Sequence, residues 1–186
     1  MTITAIVPIR SFAGLTRLSR VLDEGERVSL MRQLAAHTVS AIQSAGIEVL
    51  IVSNDSDVVL WSRKYGCKAT SEPVEGGLNG AASVGAAAVT ESWMILHADL
   101  PAVDAADIRV AASLSEDGYV LAPSHDGGTS LIGGTGSGFP FRYGPGSFRR
   151  HLAAINGDAT ILIRPGLALD LDRPWDLDAL KSLGYL

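Results

Sequence analysis

Short apolar runs alternate with segments of helical periodicity along most of this chain, and that alternation restricts the fold more than any other feature of the sequence. Thr2 to Ile9 is a β-rich apolar run. Asp23 to Ala45 follows, with Val28, Met31, Leu34, Ala35, Val39 and Ile42 at the spacing of one helix face. Gly46 is placed to close that helix, and Ile47 to Val52 is a strand-like run broken only by Glu48. Ser53, Asn54 and Asp55 offer capping side chains for a second helix reaching about Tyr65, after which Cys67 to Thr70 suffices only for an edge strand. Glu72 to Gly77 reads as a loop, Leu78 to Thr90 as an Ala-rich helix, and Trp93 to His97 as a buried strand ending at Ala98-Asp99-Leu100-Pro101. Val103-Asp104 caps a helix to about Leu114, and Gly118 to Ala122 is a further strand. Such an order predicts an α/β fold with a largely parallel sheet covered on both faces, binding ligands beyond the carboxyl ends of its strands.

The second half is less regular. Thr129 to Ile132, Ile161 to Ile163 and Leu167 to Leu169 read as strands, and Ser147 to Ile155 as a short helix. Gly133 to Gly138 has linker composition over only six residues, so it is expected to be a substrate-side loop rather than a boundary. Residues 1–186 are therefore expected to form one domain, a length that buries about 70% of the unfolded surface.

Composition removes several classes of function. A net charge of −5 with only 15 Lys and Arg does not favour nucleic acid or an anionic membrane surface, so an anionic ligand must be met by local positive groups. The single Cys67 can form neither an internal disulfide nor a cysteine zinc cluster. No apolar run approaches the ~20 residues that span a bilayer, and the first residues lack a charged leader region. A cytoplasmic protein without membrane partners is the expectation.

Carboxylates at strand ends are the candidates for chemistry. Asp99 should stand at the mouth of the sheet, as a metal ligand or as a turn-capping side chain; position alone leaves both open. In Leu169-Asp170-Leu171-Asp172, an extended backbone points residues two apart to one face, so Asp170 and Asp172 can share a cation. Asp172 alone reads equally well as the N-cap of a helix opening with Arg173-Pro174, whereas Asp170, between two leucines, needs a cation or hydrogen bonds. Mg²⁺ suits such an oxygen set. Arg10, Arg17 and Arg20 make the loop after the first strand basic, although it matches neither a Walker loop nor a dinucleotide fingerprint. Gly144 to His151 resembles a tight turn into a helix N-terminus, which favours an anion, and Asp126 to Ser130 clusters further amides. His97, His125 and His151 lack zinc-ligand spacing and are expected to support the fold or a site from behind. Cys67 has no basic neighbour that would mark a nucleophile.

In order and spacing these segments resemble the 2-phospho-L-lactate guanylyltransferase family of coenzyme F420 biosynthesis (CofC/FbiD). The resemblance covers nearly the whole chain. It is carried by Val7-Pro8, Thr16-Arg17-Leu18, Glu26-Arg27, Leu78-Asn79, Ala98-Asp99-Leu100-Pro101, Asp126-Gly127-Gly128-Thr129, Tyr143-Gly144 with Ser147-Phe148 and His151, and Leu169-Asp170-Leu171-Asp172. It implies a nucleotide-diphospho-sugar transferase-like fold, Rossmann-like, three-layered, with a mixed, mostly parallel sheet. It also implies that Asp99, Asp170 and Asp172 hold a divalent cation, that the backbone of Thr129, Gly144 and Ser147 holds a small phospho-acid, and that Pro8, Arg10, Arg17, Leu78 and Asn79 bind GTP. Asp99 and Arg17 would act directly on the reaction, in which the acid's phosphate attacks GTP and pyrophosphate leaves. The partners implied are GTP and 2-phospho-L-lactate, phosphoenolpyruvate or 3-phospho-D-glycerate, with a homodimer suggested. Two departures stand out. Arg10 replaces the family's usual Lys, and Leu15 replaces a second Lys and loses its charge. A cytidylyl- or sugar nucleotidyltransferase, or a non-catalytic binding paralogue, is the alternative.

Overall fold

A computed structural model describes residues 3–186, so Thr2, where the first strand was expected to begin, lies outside the described residues. The sheet starts with β1 (Ile3–Pro8), and the basic loop after it holds one turn of 3-10 helix, Thr16–Leu18. The elements α1 (Glu24–Ser44), β2 (Glu48–Val52), α2 (Ser56–Lys64), β3 (Lys68–Thr70) and α3 (Gly77–Ala87) follow. Next come β4 (Ser92–Leu96), α4 (Ala105–Asp117), β5 (Tyr119–Pro123) and β6 (Thr129–Thr135). The chain ends with α5 (Ser147–Ala154), β7 (Ala159–Ile161), α6 (Pro165–Ala168) and α7 (Pro174–Ser182).

Local chemistry explains most boundaries. Asp23 caps α1 in a reciprocal box with Glu26, and Asp55 caps α2 through the amides of Asp57 and Val58. At the other end of α1, Gly46 takes φ 82° while its amide reaches Gln43 O and that of Ile47 reaches Ile42 O. This is the left-handed closure expected of that glycine.

Among the described residues seven strands lie in the order β3-β2-β1-β4-β6-β5-β7. Only β6 runs antiparallel to its neighbours β4 and β5, and β3 is an edge strand, as its length suggested. Strand pleating sorts side chains to two cores. Ala5, Val7, Met94 and Leu96 pack with α1, α2 and α4 on one face, whereas Ile6, Trp93 and Ile95 pack with α3 and the 139–143 segment on the other. The chain leaves β1 for β2 and β3, then returns to β4 on the opposite side of β1. A crevice therefore opens at the carboxyl ends of β1 and β4.

Three expectations need correction. Leu167 to Leu169 is not a strand: Pro165 opens the one-turn helix α6, a position where its missing N–H is harmless and its fixed φ suits the helix. Gly133 to Gly138 is not a substrate-side loop. Gly133 and Gly134 lie within β6 at the end remote from Asp99, where a Cβ would meet Ser115 Oγ at 1.9 Å or Tyr119 Cδ1 at 2.6 Å. These glycines serve close packing. Asp172 is not a helix cap; Arg173 precedes Pro174, and Asp176 accepts the amides of both Asp172 and Arg173 at 3.1 and 2.7 Å.

Candidate active site

Asp99 lies three residues beyond β4, at the mouth of the crevice. Leu171 N–H donates to Asp99 O at 3.0 Å, stitching the Asp99 turn to the 170–172 segment. Leu171 itself is fully buried with Leu18, Leu177 and Leu180, in a small core joining the basic loop, α1 and α7. Burying the leucine between them leaves Asp170 and Asp172 at the crevice. The three expected carboxylates thus come together, although 71 residues separate Asp99 from Asp170 in sequence.

Two cavities flank this point, of about 410 and 420 Å³, each within the range of small-molecule sites. The first is bordered by Asp126, Thr129, Tyr143, Gly144, Ser147 and Asp170. The second is bordered by Pro8, Arg10, Leu15, Thr16 and Met31. Arg17, Leu78, His97, Asp99 and Asp172 border both, so the cavities meet at the carboxylates. Asn79, the other expected nucleotide contact, borders neither; its Oδ1 accepts the Tyr143 amide at 2.6 Å and ties α3 to the 139–146 strap.

The electrostatics here are unbalanced. Asp99 Oδ1 and Asp170 Oδ1 are buried and have no hydrogen-bond partner among the described residues. Burial above all, with Asp172 and Asp126 nearby, pushes Asp99 up to about 7. Burial, then Asp99 and Asp126, pushes Asp170 up to about 6. His125 Nδ1 lies 3.0 Å from Asp170 Oδ1, off the hydrogen-bonding direction, while its Nε2 engages Asp176 Oδ1 at 3.1 Å. Burial opposes protonation of His125, but Asp170 and Asp176 raise it overall. Asp126 is better satisfied: although burial opposes ionisation, Ser124 Oγ and the Gly128 amide, at 2.6 and 2.8 Å, hold it below the usual carboxylate range.

Buried carboxylate oxygens without hydrogen-bond partners among the described residues, crowded by further carboxylates that raise their proton affinity, form a donor set suited to a hard divalent cation. Among the described residues no three His, Cys, Asp or Glu side chains already surround one point at metal distance. Asp172 instead pairs with Arg17, joining the basic loop to the carboxylate segment.

Sequence reasoning gave no role in the cavities to His97, Asp126, Tyr143 or Arg173, all of which border the first. Asp126 stood in a Gly-rich motif that hinted at a site. The imidazoles carried no spacing signal, because three separate segments deliver them, His97 after β4, His125 after β5 and His151 within α5. Cys67 is buried and its thiol is raised by that burial, as befits an inert side chain.

The sequence matches a known family. Residues 3–177 fit the model described as guanylyl transferase CofC like. The chain belongs to the CofC-like guanylyltransferase family. Among relatives of this family, a phosphoenolpyruvate guanylyltransferase from Rubrobacter xylanophilus is 33% identical, covering 99% of this chain and 96% of its own. A 3-phospho-D-glycerate guanylyltransferase from Phenylobacterium zucineum is 32% identical over 92% of this chain and 86% of its own. A solved structure described as a nucleotide-diphospho-sugar transferase from Desulfovibrio desulfuricans superimposes with a TM-score of 0.77 at 14% identity, covering 97% of this chain and 87% of that one. The likeness bears out the nucleotide-diphospho-sugar transferase-like fold. This CofC-like chain is a nucleotidyltransferase. No helix among its described residues is long and apolar enough to cross a membrane.

Proposed function

We propose that this CofC-like chain joins GMP from GTP to a small phosphorylated three-carbon acid in the route to coenzyme F420, releasing pyrophosphate. One observation carries the reading: two cavities, one basic and one rich in Gly, Ser and Thr, meet at Asp99 and Asp172 beside Asp170, and Asp99 and Asp170 each bury an oxygen with no hydrogen-bond partner among the described residues. A reaction joining two anionic substrates needs such a junction. GTP is assigned to the cavity bordered by Pro8, Arg10, Arg17 and Leu78, with Asn79, which borders neither cavity, acting from behind by holding the Tyr143 amide. The phospho-acid is assigned to the cavity bordered by Thr129, Gly144 and Ser147, where α5 begins and the positive end of its dipole favours an anion.

The nucleophile is a phosphate oxygen of the acid, ionised at neutral pH, so no protein base is required. It attacks the α-phosphorus of GTP as the bond to the β-phosphate oxygen breaks, and pyrophosphate carries off the bonding pair. Arg17, bordering both cavities, neutralises charge that develops between the substrates; Arg10 supports the triphosphate where Leu15 supplies no charge. Asp99 and Asp170 would hold Mg²⁺, with Asp172 joining when it turns from Arg17. Mg²⁺ would screen the triphosphate and polarise the reacting phosphoryl group.

The test is pyrophosphate release from GTP with Mg²⁺ and each of phosphoenolpyruvate, 3-phospho-D-glycerate and 2-phospho-L-lactate. Turnover is expected with at least one acid, and silence with all three removes the proposal.

A further inference from the structure

Behind the first cavity, His151 has no part in the reaction written above, yet both of its ring nitrogens are committed. The side chain is fully buried. Nε2 lies 2.8 Å from the Arg142 backbone nitrogen, and Nδ1 lies 2.9 Å from Thr129 Oγ1. A backbone amide can only donate, so Nε2 must accept. The proton of the neutral ring is then on Nδ1, which donates to Thr129. Burial, reinforced by Arg150, pushes the imidazole down to about 4, so the ring is neutral at physiological pH.

Ser147 Oγ stands 3.3 Å from Thr129 Oγ1 and donates to it as well. With its two lone pairs taken by His151 and Ser147, the Thr129 hydroxyl keeps one function, to donate its own proton. Thr129 borders the cavity assigned to the phospho-acid.

We infer that His151 is a positioning residue that, through Thr129, aims a hydroxyl donor at the anionic group of the phosphorylated acid. The inference rests on the guanylyltransferase reading for the identity of that ligand. The competing role is structural. His151 also packs against Phe139, Phe141 and Tyr143, with centroids 6.0, 6.4 and 4.7 Å away, and clips the strap through Arg142. Packing alone would require only shape, and the clip only an acceptor at Nε2. The clip fixes the proton on Nδ1, but neither role requires that its acceptor be a hydroxyl that also accepts from Ser147 and borders the cavity.

The two ends of the ring can be removed separately. In His151→Gln the longer amide can place an oxygen near the Nε2 position, keeping the Arg142 clip and losing the donor. In His151→Asn the shorter amide places its NH₂ near Nδ1, keeping the donor and losing the clip. A hydrogen bond to a charged group predicts a rise of about 10- to 100-fold in KM for the acid in His151→Gln, with KM for GTP unchanged. His151→Asn should stay close to wild type. Thr129→Val should match His151→Gln, and the double variant should lose little more.

The opposite order, equal losses in Gln and Asn, or an unaffected His151→Gln overturns the inference. Should the His151 variants fail to fold, Thr129→Val decides: an unchanged KM for the acid overturns it. In wild-type protein, ring ¹⁵N NMR should find Nδ1 protonated and Nε2 bare; a protonated Nε2 overturns the inference whether or not GTP turns over. Absence of turnover with every acid counts instead against the guanylyltransferase reading.

Discussion

Replacing Asp99 by Asn removes one ionisation from the centre of the site, and its effect on stability has a sign and a size. In the metal-free protein the Asp99 carboxyl rises from an ordinary 3.8 to about 7, chiefly through burial. Below about pH 4 the group is protonated in folded and unfolded chains alike and contributes no difference. Between about pH 4 and 7 the unfolded chain gives up the proton while the folded chain keeps it, so stability falls as pH rises and levels off above 7. The full change is worth about 4 kcal/mol, and partial solvent access to the side chain reduces the expectation to roughly 2–4 kcal/mol.

Asp99→Asn is close to isosteric and does not titrate, so its stability curve should lack this descent. Asp170 reinforces the contrast, because without a charged neighbour at position 99 it ionises more readily. Urea unfolding in EDTA at intervals from pH 4 to 7.5 measures the difference between the two proteins. Wild type should lose roughly 2–4 kcal/mol relative to the variant over that range. Mg²⁺ should recover much of it at pH 7.5 in wild type alone, since binding to the folded state adds stability. Parallel curves, or a wild type that gains on the variant with rising pH, would refute the account of Asp99 as an unpaired buried carboxylate.

Arg17→Gln should lower kcat in the pyrophosphate assay by about two orders of magnitude while leaving the urea midpoint nearly unchanged, because the Arg17–Asp172 pair is largely solvent-exposed. A variant with wild-type turnover removes Arg17 from the reaction. Gly133→Ala should destabilise the fold by about 2 kcal/mol or more, since its new methyl meets Ser115 Oγ at 1.9 Å. Its turnover per folded molecule should stay near wild type, because β6 carries Gly133 to the end of the sheet away from Asp99; a selective loss of activity without loss of stability contradicts that placement.

Local rules are short-ranged, and they succeeded where short-range chemistry decides. Strand and helix order, the caps at Asp55 and Asp104, and the closure at Gly46 all depend on neighbours within a few residues. Asp99 at the end of β4 followed from the same logic, since an apolar strand must deliver its next polar residue to the sheet's edge. Family resemblance then supplied what spacing could not, namely a partner for Asp99 far along the chain.

Tertiary contacts decided the rest. Whether Gly133 and Gly134 made a loop or a strand depended on Ser115 and Tyr119 leaving no room for a side chain, which composition cannot encode. The role of Asp172 turned on Asp176 taking the amides at the start of α7 and on Arg17 arriving from the first loop. The protonated nitrogen of His151 was set by an amide and a hydroxyl from separate segments. The sequence alone determined which groups reach the carboxyl edge of the sheet. Their partners, and hence their charge and proton positions, were decided only by folding, because electrostatic and hydrogen-bond energies depend on distance in space and not along the chain.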